Sequence, residues 1–457
     1  MVASGAATAA PAFTRALSPS ERWFWIIDRI SPANCSARVR LYGRLPEARL
    51  ARAAAALVAE YPLLRVGVRD DARRGPRFHA LAEPRLPVRR VVSEDPETWL
   101  RELDREMVEG FDVGAGLARV VDVVRYPGTP AEQHDIILTI SHIIVDGRSL
   151  MAALRKLIEF ADQGRDDAEA SRSPGRLPIP PSDYLVPAGA RGFWRYAYTT
   201  LHDQIAAYAL RPRRLPAARP VALAERRTRV VHRVLEADAL TGLAADCRRA
   251  GVTVHGALAA AVALAVAKCG ATDVAGVVGI GSPVDFRSAL VPQPDPDELG
   301  IYAPVLAGFV RYGPGMSLWD MARSVNRQVA RGVRQRRHLA TVAGMRFGTP
   351  RSVKSGWRII ELIDRRAPWN VSVTNLGRVE FPDRLGEWEF SGLLLTASNS
   401  CVSALTVAIT TAHREMQLGF CYVDGMLTES EAEIFADLVL DELIVRPDSL
   451  VEQVSAR

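Results

Sequence analysis

The sequence predicts an α/β fold. Strand-like and helix-like stretches alternate in both halves of the 457-residue chain, the pattern of mixed sheets with flanking helices. Its 48% hydrophobic and 24% charged residues are the balance of an ordinary globular protein. At the usual 100 to 200 residues per domain the length implies two or three units. A Pro-, Arg- and Asp-rich stretch from Gln163 to about Arg226 interrupts the alternation and reads as the connection between two lobes.

Element by element, Ser18-Pro19-Ser20-Glu21 forms a capping box, with Pro19 suited to the first helical position. The helix it starts carries Trp23, Phe24, Trp25, Ile26 and Ile27. Arg38 to Tyr42 alternates like a strand, and Pro46 opens an amphipathic helix through Leu50, Ala54, Leu57 and Val58. A helix follows over Pro96 to Glu109, then a buried type of strand, Asp135 to Ser141, and a helix from Arg148 to Ala161. Within the connection only Phe193 to Tyr208 has helical spacing. The second half restarts with a strand at Thr228 to Val234 and a helix from about Ala239. Thr253 caps a long apolar helix, Gly276 to Val284 and Val305 to Tyr312 read as strands, and Ser317 opens an amphipathic helix. Strands are expected at Val371 to Thr374, Gly392 to Ala397, Ala404 to Thr410 and Gln417 to Val423, with a last helix from Ser430 to about Leu443. The resulting divisions are 1–16 (a flexible N-terminus), 17–165, 166–226 and 227–457.

Several function classes drop out. A net charge of +6 on this length is too weak for nucleic-acid binding. Lysines occur only at Lys156, Lys268 and Lys354, no Gly-Lys pair supplies a phosphate loop, and neither HExxH nor CxxC is present for a metal. Five cysteines with no close pairing, and an alanine-rich start without the build of a signal peptide, lead us to expect free thiols and a cytoplasmic protein. The Asn-Cys-Ser and Asn-Val-Ser triplets at Asn34 and Asn370 then carry no glycan. The apolar run from Val252 to Ala267 is shorter than the roughly 20 residues a membrane span needs. It contains His255 and reads as a buried core helix.

One constellation carries chemistry: Thr139-Ile140-Ser141-His142-Ile143-Ile144-Val145-Asp146-Gly147. His142 ends a hydrophobic strand just before a turn, where Gly147 would tolerate positive φ. Such a histidine can tie one ring nitrogen to the backbone and offer the other to a cleft, as a general base requires. Asp146 has two available jobs, orienting the imidazole as a triad carboxylate does or turning away to pair with an arginine. Against these stands a satisfied histidine at a strand end.

Strand-SHIIVDG-helix resembles the HHxxxDG motif of the condensation-domain and chloramphenicol-acetyltransferase-like superfamily, whose members include the polyketide-associated mycocerosyl transferases. LSPSERWFWIIDRI is similar to that family's opening helix, and GRLPEARLARAAAALVAEYPLLR to its helix and Pro-Leu-Leu-Arg strand. EGFDVGAGLARVVDV resembles the stretch before the active-site strand, AGVTVHGALAAAVALAVAK the buried helix of the second lobe, and GSPVDFRSAL the arginine motif. SVTNLGRV is similar to the Asn-Leu-Gly strand and LTESEAEIFADLVLDEL to the final helix, which completes seven matches in order.

The resemblance implies two chloramphenicol-acetyltransferase-like lobes with an active-site tunnel between them. It makes His142 the base that deprotonates the acceptor, Asp146 a carboxylate facing away from the tunnel, and Arg287 its partner. Asn375 falls where the family places polar groups near the reacting carbonyl. The donor implied is an acyl thioester on coenzyme A or on the phosphopantetheine of an acyl-carrier protein. No bound cofactor, metal, nucleic acid or membrane span is implied. Ser141 replaces the first histidine of the fuller motif, and LGIYAPVLAG lacks the Phe-Val-Asn of peptide-forming members; both lean toward a hydroxyl acceptor. Amide formation and a non-catalytic carrier-binding scaffold are the alternatives.

Lesser signals have plainer readings. The GxxGxG spacing of Gly276, Gly279 and Gly281 has no helix after it and reads as strand and turn. Asp448-Ser449-Leu450 echoes a carrier attachment triplet without a carrier domain around it. His255 and His134 read as helix and loop histidines. RGVRQRRH at 331–338 reads as a solvated helix end, or else a dock for an acidic partner.

Overall fold

Capping and periodicity place the elements much as the sequence suggests in the computed structural model, which describes residues 14–71, 73–164, 190–270 and 274–444. The chain runs β1 (Thr14–Ala16), α1 (Pro19–Asp28), β2 (Asn34–Tyr42), α2 (Glu47–Glu60), β3 (Val66–Asp71), β4 (Gly75–Ala80) and β5 (Val88–Val92). Next come α3 (Thr98–Val108), β6 (Ala118–Arg125), β7 (Gln133–Ser141), α4 (Gly147–Gln163) and α5 (Ala190–Leu210). The second half begins with β8 (Thr228–Leu235), α6 (Ala237–Ala250), α7 (Val254–Cys269), β9 (Gly276–Pro283) and β10 (Val305–Tyr312). Three helices follow, α8 (Leu318–Arg334), α9 (Arg337–Gly348) and α10 (Val353–Arg366). The chain closes with β11 (Val371–Arg378), β12 (Arg384–Leu385), β13 (Trp388–Ala397), β14 (Leu405–Ala412), β15 (Glu415–Val423) and α11 (Glu429–Leu443).

Two six-stranded sheets organise the protein, ordered β12-β13-β2-β7-β6-β5 and β10-β9-β11-β14-β15-β8, beside a small sheet β1-β4-β3. The α/β expectation, two mixed sheets with flanking helices, is therefore met. The first sheet is antiparallel except where β5 runs parallel to β6. In the second, β11 runs parallel to both β9 and β14. β12 and β13 lie far along the chain, yet β13 pairs with β2 from Glu389–Tyr42 to Ala397–Cys35. The second half thus donates two strands to the sheet built by the first.

The strand DIILTIS of β7 is mostly apolar with no in–out alternation because it is buried from Asp135 to Ser141. In α7, Gly256 to Ala263 are all buried, so a helix apolar on every side is a core helix. Its start is held by Thr253, whose Oγ1 accepts the Gly256 N–H at 3.0 Å. No single helix among the described residues is long and apolar enough to cross a membrane.

Several readings change. Thr14–Ala16 is paired with β4, so the described end of the expected flexible N-terminus is part of a sheet. Pro62–Arg65 forms a 3₁₀ turn, and the strand starts only at Val66. RGVRQRRH is not a single helix end. The chain turns at Arg336 with φ 52°, and Arg337 starts α9 with its guanidinium paired to Asp203 of α5. His134 lies within β7, not in a loop, fully buried between Asp122 Oδ1 at 2.8 Å and Glu132 Oε1 at 3.0 Å. Asn34 and Asn370 are buried and spend their amides on backbone carbonyls, which removes both as glycan acceptors. Among the described residues all five cysteines are free thiols. Residues 1–13, most of the proline-rich part of the connection and Asp448-Ser449-Leu450 lie outside the described residues.

The spacing of Gly279 and Gly281 has a packing cause. A Cβ on Gly279 would stand 1.8 Å from the Pro368 carbonyl oxygen, and one on Gly281 2.6 Å from Trp369 Nε1. These glycines let the segment entering β11 cross β9 closely.

Candidate active site

His142 follows the last residue of β7, and its N–H donates to the Ala33 carbonyl at 2.8 Å. The next three residues fold back so that the Val145 carbonyl lies 2.7 Å from His142 Nδ1. A carbonyl can only accept, so Nδ1 carries the proton and Nε2 keeps its lone pair. Phe24 of α1 stacks on the imidazole with ring centroids 3.8 Å apart. Burial pushes the imidazole below its ordinary pKa, against smaller opposing effects of the Val145 carbonyl and the Asp146 charge. A neutral ring with a free acceptor nitrogen is the form a general base needs.

Asp146 takes the second of its two available jobs. It is the N-cap of α4, and its Oδ1 accepts the Ser149 N–H at 2.9 Å, the Ser149 hydroxyl at 3.0 Å and Arg287 Nη2 at 2.9 Å. Oδ2 accepts the Tyr302 N–H at 2.9 Å. Burial raises this carboxyl, but the Arg287 charge and these hydrogen bonds outweigh it and hold the group below the usual aspartate value. Arg287 also donates to Ser149 Oγ at 2.7 Å, and its guanidinium lies 4.1 Å above the Tyr302 ring. The cluster ties the start of α4 in the first half to residues 287–302 of the second. It fixes the loop that carries His142 without a hydrogen bond to the imidazole.

Gly147 is required for space, not for its backbone. Its φ is not positive, which corrects the turn argument made from sequence. A Cβ there would stand 2.9 Å from Leu395 Cδ2 and 3.2 Å from Leu376 Cδ2. β13 and the Asn-Leu-Gly segment of β11 thus both press on the first residue of α4. Gly147→Ala is expected to cost about 1–3 kcal/mol by overpacking, read as a lower denaturation midpoint; an unchanged midpoint would show that both leucines yield freely.

The remaining sequence candidates are less tightly joined. Asn375 lies half-buried on β11, next to Leu376, and its Oδ1 accepts the Gly377 N–H at 2.8 Å. Among the described residues no hydrogen bond links it to His142. Ser141, at the position of the missing first histidine, is fully buried and accepts the Ile143 N–H at 3.4 Å. His255 remains a helix histidine, 3.2 Å from Ser282 Oγ. Sequence reading did not single out Phe24, Ser149 or Tyr302 as site residues. Phe24 was legible only as one of five apolar residues on α1, and Tyr302 acts through a backbone N–H and a ring face that no side-chain motif marks. Among the described residues no His, Cys, Asp and Glu cluster could hold a metal.

Comparison with known proteins bears on the fold. Residues 224–428 match the family described as phthiocerol/phthiodiolone dimycocerosyl transferase C-terminus. The solved structure of polyketide synthase associated protein 5 from Mycobacterium tuberculosis is 18% identical, with a TM-score of 0.65 over 95% of this chain and 99% of that one. The first condensation domain of the calcium-dependent antibiotic synthetase, in complex with a substrate analogue, is 16% identical with a TM-score of 0.67 over 94% and 96%. The starter condensation domain of rhizomide synthetase, solved as a mutant with C8-CoA and Leu-SNAC, is 16% identical with a TM-score of 0.66 over 94% of each chain. No curated protein matches the sequence. The resemblance drawn from the motifs is borne out in fold over nearly the whole chain, and the family match over residues 224–428 agrees with it.

Proposed function

For a chain with the condensation-domain fold whose residues 224–428 match a dimycocerosyl transferase C-terminus, we propose acyl transfer from a thioester to a hydroxyl acceptor, with His142 as general base. The observation that carries this reading is the His142 Nδ1–Val145 carbonyl contact of 2.7 Å. It leaves Nε2 unprotonated and aimed away from its own loop, ready to take the acceptor proton. The acceptor oxygen attacks the thioester carbonyl, the oxyanion collapses, and the thiolate leaves with the proton that His142 returns. Asp146 and Arg287 hold the loop and stay outside the proton path. Asn375 is the candidate donor to the oxyanion through its amide nitrogen, since Gly377 occupies its oxygen.

The donor class is a coenzyme A or acyl-carrier thioester. The complex of the rhizomide synthetase domain with C8-CoA supports it, and so does the polyketide association of the Mycobacterium tuberculosis protein. Replacement of the first motif histidine by buried Ser141 favours a hydroxyl over an amine acceptor.

Thiol release from matched acyl-coenzyme A and acyl-carrier donors, with alcohol and amine acceptors and product identification, tests the proposal. Ester product is expected. Because His142 titrates below the ordinary histidine value, it is neutral and competent above that lowered pKa. The kcat/KM profile should fall at low pH with a midpoint below the ordinary histidine value. Amide as the sole product would replace this reading with condensation, and carrier binding without any turnover would replace it with a scaffold.

A further inference from the structure

Among the described residues, α5 buries one side and leaves the other bare. Inward, Gly192 and Thr199 are buried, Tyr196 packs over Gly344 of α9, and Asp203 pairs with Arg337. Outward stand Trp194 at 69% exposure, Tyr198 at 70%, Leu201 at 59%, Ile205 at 57% and Tyr208 at 81%. Their alternating spacings of four and three residues put all five on a single stripe. Phe347 of α9, 51% exposed, widens it through an edge-to-face contact with Phe193 at 5.3 Å. Contiguous apolar surface of this kind marks an interaction site.

Charge decides what covers it. Arg191 and Arg195 are exposed on the first turns of α5, Arg195 with one guanidinium nitrogen on the Gln335 carbonyl at 2.8 Å, and the helix's sole acid, Asp203, is turned inward to Arg337. A helical partner such as a second copy would be matched by both signs of charge along the seam. Aromatic rings beside arginines, with no exposed acid on α5, complement the headgroup zone of an anionic membrane instead.

We propose that the outer face of α5 docks on an anionic phospholipid surface, its tryptophan and tyrosine rings among the headgroups and Arg191 and Arg195 on their phosphates. Docking there needs no membrane span and does not depend on the chemistry assigned to His142. An enzyme so placed would meet water-insoluble substrates at the surface that dissolves them.

Co-sedimentation of the full chain with phosphatidylcholine vesicles, with and without phosphatidylglycerol, tests it. Wild type should bind the anionic vesicles at low salt and lose binding as salt rises. Trp194→Ser/Tyr198→Ser/Ile205→Ser should cut partitioning at least tenfold with an unchanged melting temperature, because these side chains are exposed. Arg191→Glu/Arg195→Glu should cut binding to anionic vesicles on the order of tenfold and leave the weak binding to neutral ones alone. Absence of wild-type binding, or binding by both variants as tight as wild type, overturns the proposal. So does a wild-type dimer that the triple variant dissociates, since a second copy would then own this face.

Discussion

His142→Ala is expected to lower kcat/KM for thioester turnover by about 10²–10⁴-fold while the protein folds and melts as wild type. The magnitude follows from the one job the geometry leaves to this ring. Nδ1 is committed to the Val145 carbonyl and Phe24 covers one face, so Nε2 is what remains to accept a proton. The loop itself does not need the imidazole, because Asp146 caps α4 and holds Tyr302 and Arg287 independently. Matched melting curves and thiol-release rates check both halves. Turnover within a few-fold of wild type would sink the base assignment and favour a satisfied strand-end histidine.

Arg287→Ala should act on stability first. Removing one member of a buried ion pair strands the other charge, at a cost of about 3–5 kcal/mol. Here the stranded group is Asp146, which is 2% exposed. Equilibrium denaturation should show this loss, and turnover should fall with it as the His142 loop loosens. Arg287→Ala/Asp146→Asn should recover part of the stability, because the second change removes the stranded charge. The sign with pH follows from Asp146, whose folded pKa is depressed. The pair's contribution is complete above the ordinary aspartate value and is lost as pH falls through the lowered one. An Arg287→Ala protein as stable as wild type across that range would show that the pair does not hold the lobes.

Much of the fold was legible because the signals are local. Ser18 and Glu21 close the expected box at 3.2 and 2.6 Å, and the apolar run after Thr253 is the buried helix it reads as. α9 escaped because arginines and glycines break up its apolar period, whereas α10 has a local signature, the Ser352 cap followed by Val353, Trp357 and Ile360 at helical spacing. Part of β13 could be read as a strand but not assigned to a sheet, and the two-residue β12 was not read at all. The place of β13 beside β2 depends on pairings such as Phe390 with Leu41, which no local window contains.

The candidate site divides in the same way. The sequence by itself determined the unit of buried strand, His142, turn and helix, since chain direction and apolar period are properties of neighbouring residues. It left open which way Asp146 turns, and it gave the wrong reason for Gly147. Only the tertiary structure decided both. Arg287 and Tyr302 reach Asp146 across 141 and 156 residues of chain, and Leu376 and Leu395 close on Gly147 from β11 and β13. A buried carboxylate goes to the strongest donors that packing brings within reach, and packing between distant segments is set by the whole core, not by the residues on either side.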